Sequence, residues 1–424
     1  MNTIDSESQE QFHVSSVRYF PEEWDNKTLL DAVGMKKDLI VAGPFGSNLK
    51  VSDYMDEGIP IIRLQNIDYG KFIDKEIKYI SHEKARELAY HSFRAGDLVL
   101  AKLGDPIGKT CIVPDYFKDG IVVADVVRVR VADGLADKKF IMYSLNSVAT
   151  KNQLINGTIG STRPRVNLDQ IRDIQILVPP LNEQRKIAAI LSSVDAAIEQ
   201  TNAIIAQTER VKKGLVQNLL TGKQRLPMFG DNWKMVAFEQ VASIRREKVN
   251  PKIVGELPFC IELEHIEQSS GRLIGSSKTS EQSSIKSVFC QGDVLFGKLR
   301  AYLRKCWLAD RDGYCSTEIW PLIPNRRLIA PGFLFQLVMT DRFIDAASIT
   351  YGTHMPRTDW DVVKGYQINL PSIPEQEAIV AILSSIDKKL DEEKKYRDHL
   401  VKLKSGLMQD LLTGRVRAKV DDHA

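Results

Sequence analysis

The sequence predicts an α+β protein in which two mixed α/β domains are separated by two long antiparallel coiled-coil helices. Two observations carry this prediction. A segment that begins at Glu183-Gln184 recurs at Glu375-Gln376, at a constant offset of 375 − 183 = 192 residues, and such an offset indicates two copies of one supersecondary unit. Each copy has helical periodicity, and each follows a stretch of strand-like runs and polar loops.

The composition bounds the possible functions. A chain of 424 residues is long enough for two or three domains of about 150 residues. The formal net charge of +3 is too small to indicate a polyanionic partner, so any basic patch must be local. No apolar run approaches the roughly 20 residues of a membrane helix, and the polar N-terminus argues against a signal peptide. We therefore expect a cytoplasmic protein without a membrane partner.

Cysteines and histidines give no metal signature. The five cysteines and seven histidines form neither a C-x-x-C pair nor an H-E-x-x-H motif, and buried or idle thiols explain the cysteines more simply. We expect no metal site and no cofactor in this chain.

The two long helices are predicted from their apolar periodicity and their flanking residues. We place them at 179–222 and 371–417, because prolines precede both copies and Gly222 and Gly414 are suited to C-terminal caps. Apolar residues at steps of three and four give each helix one stripe. About 40 residues at 1.5 Å each make a rod of roughly 60 Å.

A rod of that length needs a partner for its stripe. Only a short segment separates Gly222 from Trp233, where the second globular segment begins, so the second helix can return alongside the first and the pair should be antiparallel. Two unrelated amphipathic helices would not explain the ungapped repeat. The identical helix ends suggest identical docking sites for other proteins, formed by Glu183, Gln184, Leu219, Leu220, Glu375, Gln376, Leu411 and Leu412.

The globular segments are also diverged copies. In both, a Gly-Asp turn (Gly96-Asp97 and Gly292-Asp293) precedes an apolar run, which is typical of a buried strand. The predicted organisation is a tail at 1–19, a first domain at 20–178, a linker and second domain at 223–370, and a tail at 418–424. Further strands are predicted at 59–67, 121–131, 174–178, 259–263, 316–323 and 367–370, and short helices at 138–145 and 332–340.

A polar loop precedes each long helix, at 160–165 and again at 352–357, with the same offset. Hydroxyls and backbone amides suit phosphate contacts, and arginine suits phosphate or the guanine edge. An ordinary solvated connection remains the alternative. The repetition at both domain–helix junctions favours loops that face a ligand.

The order domain–helix–domain–helix, with Leu-Leu-Thr-Gly at the end of each helix, resembles the DNA specificity (S) subunits of type I restriction-modification systems. The loop 43–50, Gly-Pro-Phe-Gly-Ser-Asn-Leu-Lys, and the run 60–67, Pro-Ile-Ile-Arg-Leu-Gln-Asn-Ile, also resemble the target-recognition domains of that family. The second domain departs from the pattern: 258–266 reads Pro-Phe-Cys-Ile-Glu-Leu-Glu-His-Ile, and no Gly-Pro-Phe-Gly loop is evident.

The resemblance implies a subunit without catalytic activity that binds double-stranded DNA. Each recognition domain would read one half of a bipartite, asymmetric site, and the helices would set the spacing and dock two methyltransferase subunits. Restriction subunits would join through that core. S-adenosylmethionine would belong to the methyltransferase partners, which modify adenine N6, and ATP and magnesium to the restriction partners.

Candidate DNA-reading residues follow from their side-chain chemistry, since Asn and Gln pair with adenine and Arg and Lys with guanine or phosphate. The basic cluster formed by Lys298, Arg300, Arg304 and Lys305 is the preferred backbone contact. The full set of candidates is Ser47, Asn48, Lys50, Arg63, Gln65, Asn66, Lys102, Ser161, Thr162, Arg163 and Arg165 in the first domain, and Lys298, Arg300, Arg304, His354 and Arg357 in the second.

Two other functions are open at this point. An independent nuclease or methyltransferase would need a carboxylate cluster with a lysine, or a Gly-rich cofactor turn with an acidic-Pro-Pro-aromatic loop, and the sequence shows no convincing example of either. A coiled-coil adaptor that binds only protein would explain the helices. It would leave the polar loops at both junctions unexplained.

Overall fold

The computed structural model describes residues 12–15, 18–104, 106–157, 165–255, 257–278, 284–349 and 356–419, with side chains from residue 20 onward. The chain forms two compact units. Unit 1 comprises residues 1–200 and 397–424, and unit 2 comprises residues 201–396. Each unit holds one mixed α/β domain and a segment of both long helices. The predicted α+β fold with two long helices is confirmed.

Unit 1 contains two four-stranded sheets and several short helices. The strands are β1 Phe12–Ser15, β2 Arg18–Pro21, β3 Asp25–Thr28, β4 Ile40–Ala42, β5 Ile59–Ile62, β6 Ile67–Asp68, β7 Lys71–Phe72, β8 Lys78–Ile80, β9 Ser92–Phe93, β10 Leu98–Ala101, β11 Thr110–Ile112, β12 Gly120–Val122, β13 Val126–Val129 and β14 Gln175–Val178. The helices are α1 Leu29–Val33, α2 His82–Glu87, α3 Lys138–Leu145, α4 Val148–Asn156 and α5 Leu168–Arg172. The first long helix, α6, spans Leu181–Thr221 and continues into unit 2.

The sheets of unit 1 run in the orders β11-β10-β13-β4 and β8-β5-β12-β9. The predicted buried strand after the Gly-Asp turn is confirmed, since all residues of β10 are buried. Gly96 in that turn has a positive φ of 80°. The predicted strand 121–131 is two strands in different sheets, because a turn closed by Val126 N–H and Val123 C=O (2.9 Å) separates them. The predicted strand 59–67 ends at Ile62, where a 3-10 turn follows over Leu64–Asn66.

The strands of unit 2 are β15 Lys234–Ala237, β16 Ala242–Ile244, β17 Lys248–Val249, β18 Cys260–Ile261, β19 Lys286–Phe289, β20 Val294–Gly297, β21 Cys306–Leu308, β22 Gly313–Ser316, β23 Ile319–Pro324 and β24 Gln367–Leu370. One sheet, β16-β23-β20-β21, repeats the unit 1 order β4-β13-β10-β11. The other sheet, β17-β19-β22-β18, shares three strands with its unit 1 equivalent, but its fourth strand β17 lies beside β19, at the edge opposite to that of β8 in unit 1. The helices are α7 Phe238–Val241, α8 Pro251–Val254, α9 Pro331–Val338, α10 Asp341–Ala347, α11 Trp360–Val363 and the second long helix, α12, Ile373–Leu411, which continues into unit 1.

Most predicted elements of unit 2 and the short helices are found close to their predicted bounds. The strand 367–370 and the helix 138–145 match β24 and α3, and α9 covers most of 332–340. The predicted strand 316–323 is divided between β22 and β23, and 259–263 shortens to β18 because a 3-10 turn follows at Leu263–His265.

Glycines end both long helices. Gly222 and Gly414 have φ values of 72° and 71°, the left-handed conformation that stops a helix. A Cβ at Gly414 would lie 2.4 Å from Pro21 Cδ, which would have to shift, and one at Gly222 would make a tight 3.1 Å contact with the Trp233 ring. The predicted end of the second helix at residue 417 was wrong, because Gly414 caps the helix before that point.

The helix segments are part of each unit's core. In unit 1, Ile187 and Leu191 of α6 pack in one cluster with Leu411 and Leu412 and with residues of β10 and β13. In unit 2, the equivalent cluster contains Leu383 of α12, together with residues of α7, β20 and β23. The helices are therefore built into the domains rather than attached to their surfaces.

Ion pairs within each unit show the direction of the helices. In unit 1, α6 pairs with α12 through Asp195–Lys404 at 2.6 Å, and with the segment that follows α12 through Glu183–Arg417 at 2.9 Å. In unit 2, the helices pair through Glu209–Lys394 at 2.8 Å and Lys212–Asp387 at 2.5 Å. In both units, residues that come later in α6 pair with residues that come earlier in the other segment, so the predicted antiparallel pairing is confirmed.

No helix among the described residues is long and apolar enough to cross a membrane. They also contain no group of three or more His, Cys, Asp or Glu side chains placed to hold a metal ion. The five cysteines are free, and all except Cys290 are buried. Burial raises the pKa of the Cys260 thiol to about 11.

Matched leucines test whether the long helices belong to the core of their units. Leu191 and Leu383 are both 0% exposed and lie 192 residues apart. We expect Leu191→Ala and Leu383→Ala each to lower the free energy of unfolding by about 2–5 kcal/mol, because each leaves a cavity. Leu403→Ala, at a helix position that is 44% exposed, should change it by less than about 0.5 kcal/mol. Urea unfolding of the full chain measures all three, and equal effects would contradict the packing described.

Candidate nucleic-acid interface

Glu183 opens α6 and is buried by three partners from distant parts of unit 1. Arg417 donates to its carboxylate from Nε and Nη2, both at 2.9 Å, and the Trp24 indole N–H donates at 3.1 Å. The backbone N–H of Ala418 lies 3.3 Å away. The carboxylate is only 4% exposed, and its hydrogen bonds raise the pKa of Arg417 above its usual range.

Glu375 has the same arrangement at the start of α12. Arg225 donates from Nε at 2.8 Å and from Nη2 at 2.9 Å, and the Trp233 indole donates at 3.0 Å. The Arg225 guanidinium also lies over the Trp233 ring, 5.4 Å from its centre. We call the set of Glu, Arg and Trp in each unit the helix-end clamp.

The glutamine after each clamp glutamate fixes the loop that precedes its helix. Gln184 accepts from Asp137 N–H at 2.9 Å and donates to Pro179 C=O at 2.8 Å. Gln376 accepts from Ala330 N–H at 2.8 Å and donates to the carbonyls of Leu328 (2.8 Å) and Pro371 (2.9 Å).

The eight residues predicted to bind partners are thus occupied inside the chain. Glu183, Gln184, Leu219, Leu220, Glu375, Gln376, Leu411 and Leu412 are all between 0% and 7% exposed. Their repetition is explained by packing and by the clamps. A docking role for these residues stays a prediction, and their burial gives it no support.

Two predicted residues of unit 1, Lys102 and Arg165, lie around one acid. The Arg165 guanidinium donates to Asp125 at 2.6 Å, and Lys102 N–H donates to Asp125 C=O at 3.0 Å. Leu103 forms a β-bridge with Arg165. Partial burial lowers the pKa of Lys102, an effect that Asp125 opposes and Arg165 reinforces. We call Lys102, Asp125 and Arg165 the unit 1 junction cluster.

Unit 2 repeats the cluster with Lys298, Glu318 and Arg357. The guanidinium of Arg357 makes a bidentate pair with Glu318, at 2.9 and 3.1 Å. Lys298 N–H donates to Glu318 C=O at 3.0 Å, and Leu299 forms the β-bridge with Arg357. Sequence reasoning identified the basic residues and missed both acids. The spacing of the two acids could have indicated them, because Glu318 follows Asp125 by 318 − 125 = 193 residues, one more than the offset of the repeat.

Some of the predicted junction residues cannot be placed. Ser161, Thr162, Arg163 and His354 lie outside the described residues. The remaining loop candidates of unit 1, Ser47, Asn48 and Lys50, are all exposed. Their loop is ordered by a turn in which Asn48 N–H donates to Phe45 C=O at 2.8 Å.

The predicted DNA-contacting residues at the 3-10 turn of unit 1 differ in their exposure to solvent. Arg63 donates to the carbonyl of Glu76, and the exposed Gln65 donates to the Glu76 carboxylate at 3.1 Å. Asn66 is 0% exposed, and its amide bonds the backbone of Arg63, Ile73 and Lys75 at 3.0–3.1 Å. The prediction that Asn66 reads a base is therefore corrected: its side chain anchors the turn and does not face solvent.

The equivalent turn of unit 2 has the same backbone and different side chains. Glu262 N–H donates to His265 Nδ1 at 3.0 Å, as Arg63 N–H donates to Asn66. Glu262 pairs with the buried Lys286 at 2.6 Å, and Glu264 is exposed. An arginine and an amide in one unit are thus replaced by carboxylates in the other.

Two members of the basic cluster of unit 2, Arg304 and Lys305, are hydrogen-bonded within the chain. Arg304 donates to Met339 C=O at 3.1 Å and pairs with Asp341 at 2.5 Å, and this hydrogen bond lowers the pKa of Asp341. Lys305 donates to Leu263 C=O at 2.7 Å. Arg304 is therefore paired within the chain, and its contact with a DNA phosphate stays a prediction.

Arg300 is the exposed member of that cluster. Its backbone has a φ of 53°, and its N–H donates to Pro356 C=O at 2.9 Å, beside Arg357. Among the described residues its side chain has no hydrogen-bond or ion-pair partner. A non-glycine residue held in this region of φ is uncommon and often marks a functional site.

Comparison with known proteins identifies the family. The chain matches the type I restriction modification DNA specificity domain over residues 21–210 and 230–400. This chain belongs to that family. The type I restriction enzyme MjaVIII specificity subunit of Methanocaldococcus jannaschii is 25% identical over 393 residues, which cover 87% of this chain and 85% of the relative. The EcoDI specificity subunit of Escherichia coli is 27% identical over 329 residues, 69% and 72% of the two chains.

Solved structures support the fold of this specificity-domain protein. The type I S subunit from M. genitalium has a TM-score of 0.53 at 14% identity, covering 96% of this chain and 99% of that chain. A chain from a structural study of type I restriction-modification assembly has a TM-score of 0.56 at 17% identity, covering 94% and 99%. These similarities show that the architecture is shared.

Gln65 and Asn66, neighbours in the unit 1 turn, should differ in how much they contribute to the free energy of unfolding. We expect Asn66→Ala to lower the free energy of unfolding by about 1–3 kcal/mol, because buried backbone groups lose their partners. Gln65→Ala, one residue earlier and exposed, should leave it within about 0.5 kcal/mol. Thermal unfolding of both variants measures the difference, and an Asn66→Ala protein as stable as the parent would remove Asn66 from its anchoring role.

Proposed function

We propose that this specificity-family protein reads a bipartite, asymmetric DNA site, with one half-site contacted by each unit. It is a specificity subunit and not an enzyme in its own right. The units share a scaffold, which suits them to the same task, namely docking on a duplex. They differ in the side chains that the scaffold presents, which suits them to different sequences.

One observation carries the proposal: the 3-10 turns that are equivalent in backbone and opposite in chemistry. In unit 1, the chemistry of Arg63 suits it to donate to guanine, and that of Gln65 suits it to pair with adenine. In unit 2, Glu264 is suited to accept from the amino group of cytosine. If both turns approach base edges, they select different base pairs. The predicted asymmetry of the site follows from this difference.

The junction clusters supply the contacts that do not depend on sequence. Asp125 and Glu318 hold Arg165 and Arg357 in fixed positions beside a lysine. A guanidinium held in place loses less conformational entropy when it binds a phosphate oxygen, and phosphate contacts fix the register of a protein on a duplex. Arg300, beside Arg357, adds an exposed charge to the same end of unit 2.

The long helices are proposed to set the distance between the half-sites. Positions on one face of a duplex recur about every 34–36 Å, and helices of 41 and 39 residues reach roughly 60 Å at 1.5 Å per residue. Antiparallel pairing makes such a spacer stiffer than a single helix.

The proposed partners follow from the family. Two methyltransferase subunits would dock on the helices, and restriction subunits would join through that core. S-adenosylmethionine would be held by the methyltransferase subunits, and ATP and magnesium by the restriction subunits. The proposed location is the cytoplasm. Because the eight helix-end residues are buried, docking would use the exposed faces beside them.

A selection experiment tests the proposal against the adaptor alternative. The full chain, with methyltransferase subunits and without them, is mixed with random duplexes, and the bound duplexes are sequenced. Two different specified segments at a constant separation are expected. A complex that forms without selecting any DNA sequence would favour an adaptor that binds only protein.

Arg300 is expected to contact the DNA backbone. Arg300→Ala should weaken binding to all duplexes and reduce the slope of log K against log salt by about one, since one phosphate contact is lost. Arg311→Ala is the matched control, because it removes the same charge from a side chain already paired with Asp310 at 2.7 Å. An unchanged slope for Arg300→Ala, or equal slopes for the two variants, would exclude Arg300 from the interface.

The two turns should control separate half-sites. We expect Gln65→Ala to relax the sequence preference of the first half-site by about 1–3 kcal/mol at one position and to leave the second half-site unchanged. Glu264→Ala should do the reverse. Sequencing of selected duplexes for both variants measures this, and a change in both half-sites from one substitution would contradict the assignment of one half-site to each unit.

A further inference from the structure

The loop 43–50 of unit 1 presents an aromatic side chain to solvent. Phe45 is 84% exposed, while Pro44 before it is buried and Leu49 after it is 7% exposed. Water-exposed aromatic surface is unfavourable, and burial against a partner would recover that free energy. The Phe45 carbonyl accepts a hydrogen bond from Asn48 N–H, and none of the contacts described above uses the Phe45 side chain.

The loop is held at both ends, so Phe45 has a fixed position. Gly43 N–H donates to Val126 C=O at 2.9 Å, and a Cβ on Gly43 would lie 2.0 Å from the Val123 carbonyl oxygen, so only glycine allows this approach. At the other end, Leu49 is buried in a cluster with Ile61 and Ile80. An aromatic side chain on an anchored loop is presented to a partner with little loss of conformational entropy.

The surroundings of Phe45 favour a nucleic acid. The turn 123–126, on which Gly43 packs, carries Asp125 of the junction cluster, and Lys102 and Arg165 lie beside that acid. The loop that carries Phe45 therefore starts from the turn that holds the acid of this cluster, two residues before Phe45. The exposed residues that follow it in the loop are polar or basic, which suits a polyanion with polar groove edges better than an apolar protein surface.

We propose that Phe45 is an apolar wedge that enters a base step at the first half-site while the junction cluster holds the neighbouring phosphates. The inference rests on the proposed function and extends it to a deformation of the DNA. Apolar side chains that enter a base step unstack it and kink the duplex. Unit 2 lacks a Gly-Pro-Phe-Gly loop, so the wedge acts at one half-site only.

Permanganate oxidation of unstacked thymines tests the wedge. The full chain is bound, together with methyltransferase subunits, to a selected duplex in which thymine is placed in turn at each unspecified position. The parent protein is expected to expose one reactive step at the first half-site. Phe45→Ala should remove that reactivity and weaken binding roughly tenfold, since one stacked aromatic is lost. Phe45→Trp should retain both.

The matched control is Tyr116→Ala. Tyr116 is 72% exposed and follows β11, which runs antiparallel to β10, so it lies at the end of that sheet opposite to Lys102. It should change neither affinity nor reactivity. Thymines opposite bases flipped by the methyltransferase would stay reactive in every variant, so only reactivity that depends on Phe45 counts.

Each remaining outcome overturns the wedge. Unchanged affinity and reactivity for Phe45→Ala would mean that Phe45 makes no DNA contact. A loss of affinity with an unchanged thymine pattern would mean that it contacts DNA without entering the stack. Loss of methyltransferase binding in the absence of DNA would make Phe45 a protein contact. These results leave the proposed function standing, whereas a parent chain that selects no duplex, with or without methyltransferase, would refute the proposed function itself.

Discussion

A buried carboxylate at the start of each long helix is the interaction on which both units depend. Burying a charge is unfavourable unless it is paired and hydrogen-bonded, and both Glu183 and Glu375 are paired with an arginine and hydrogen-bonded by a tryptophan from elsewhere in the chain. The arginine always comes from the segment that follows the other long helix. Each clamp therefore joins the start of one helix to the end of the other, which is how two helices become part of one domain.

The clamps differ in how far apart their partners lie along the chain. Glu375 and Arg225 belong to a continuous stretch, residues 201–396, whereas Glu183 is paired with Arg417, which follows the whole of unit 2 in the sequence. Closing the longer loop costs only slightly more conformational entropy, because that cost grows with the logarithm of loop length. The main consequence is kinetic: unit 1 cannot complete its core before residues 397–419 are available, whereas unit 2 can.

Sequence reasoning predicted the features that depend on local periodicity and repetition. The long helices, their glycine caps and their antiparallel pairing, as well as the buried strand after Gly96, all follow from patterns within one segment. Long-range partners were not predictable in the same way. Asn66 and Arg304 resembled exposed readers because nothing in sequence shows that an amide bonds Ile73 and Lys75, or that a guanidinium is paired with Asp341. The repeated Glu-Gln motif predicts a docking surface for the same reason. Repetition shows that a pair of residues is required in both copies, but it does not show whether they contact a partner protein or the interior of their own unit.

The same internal pairing bears on how specificity could arise in the proposed complex. The net charge is only +3, and Arg165, Arg304 and Arg357 each face an acid in the free chain. If Arg165 and Arg357 contact DNA, a phosphate would have to compete with Asp125 or Glu318 for its arginine. Non-specific affinity depends on uncompensated cations that release counterions, so this pairing would lower the contribution of both arginines at every sequence. That cost would be offset at sites where contacts to base edges add to the phosphate contacts.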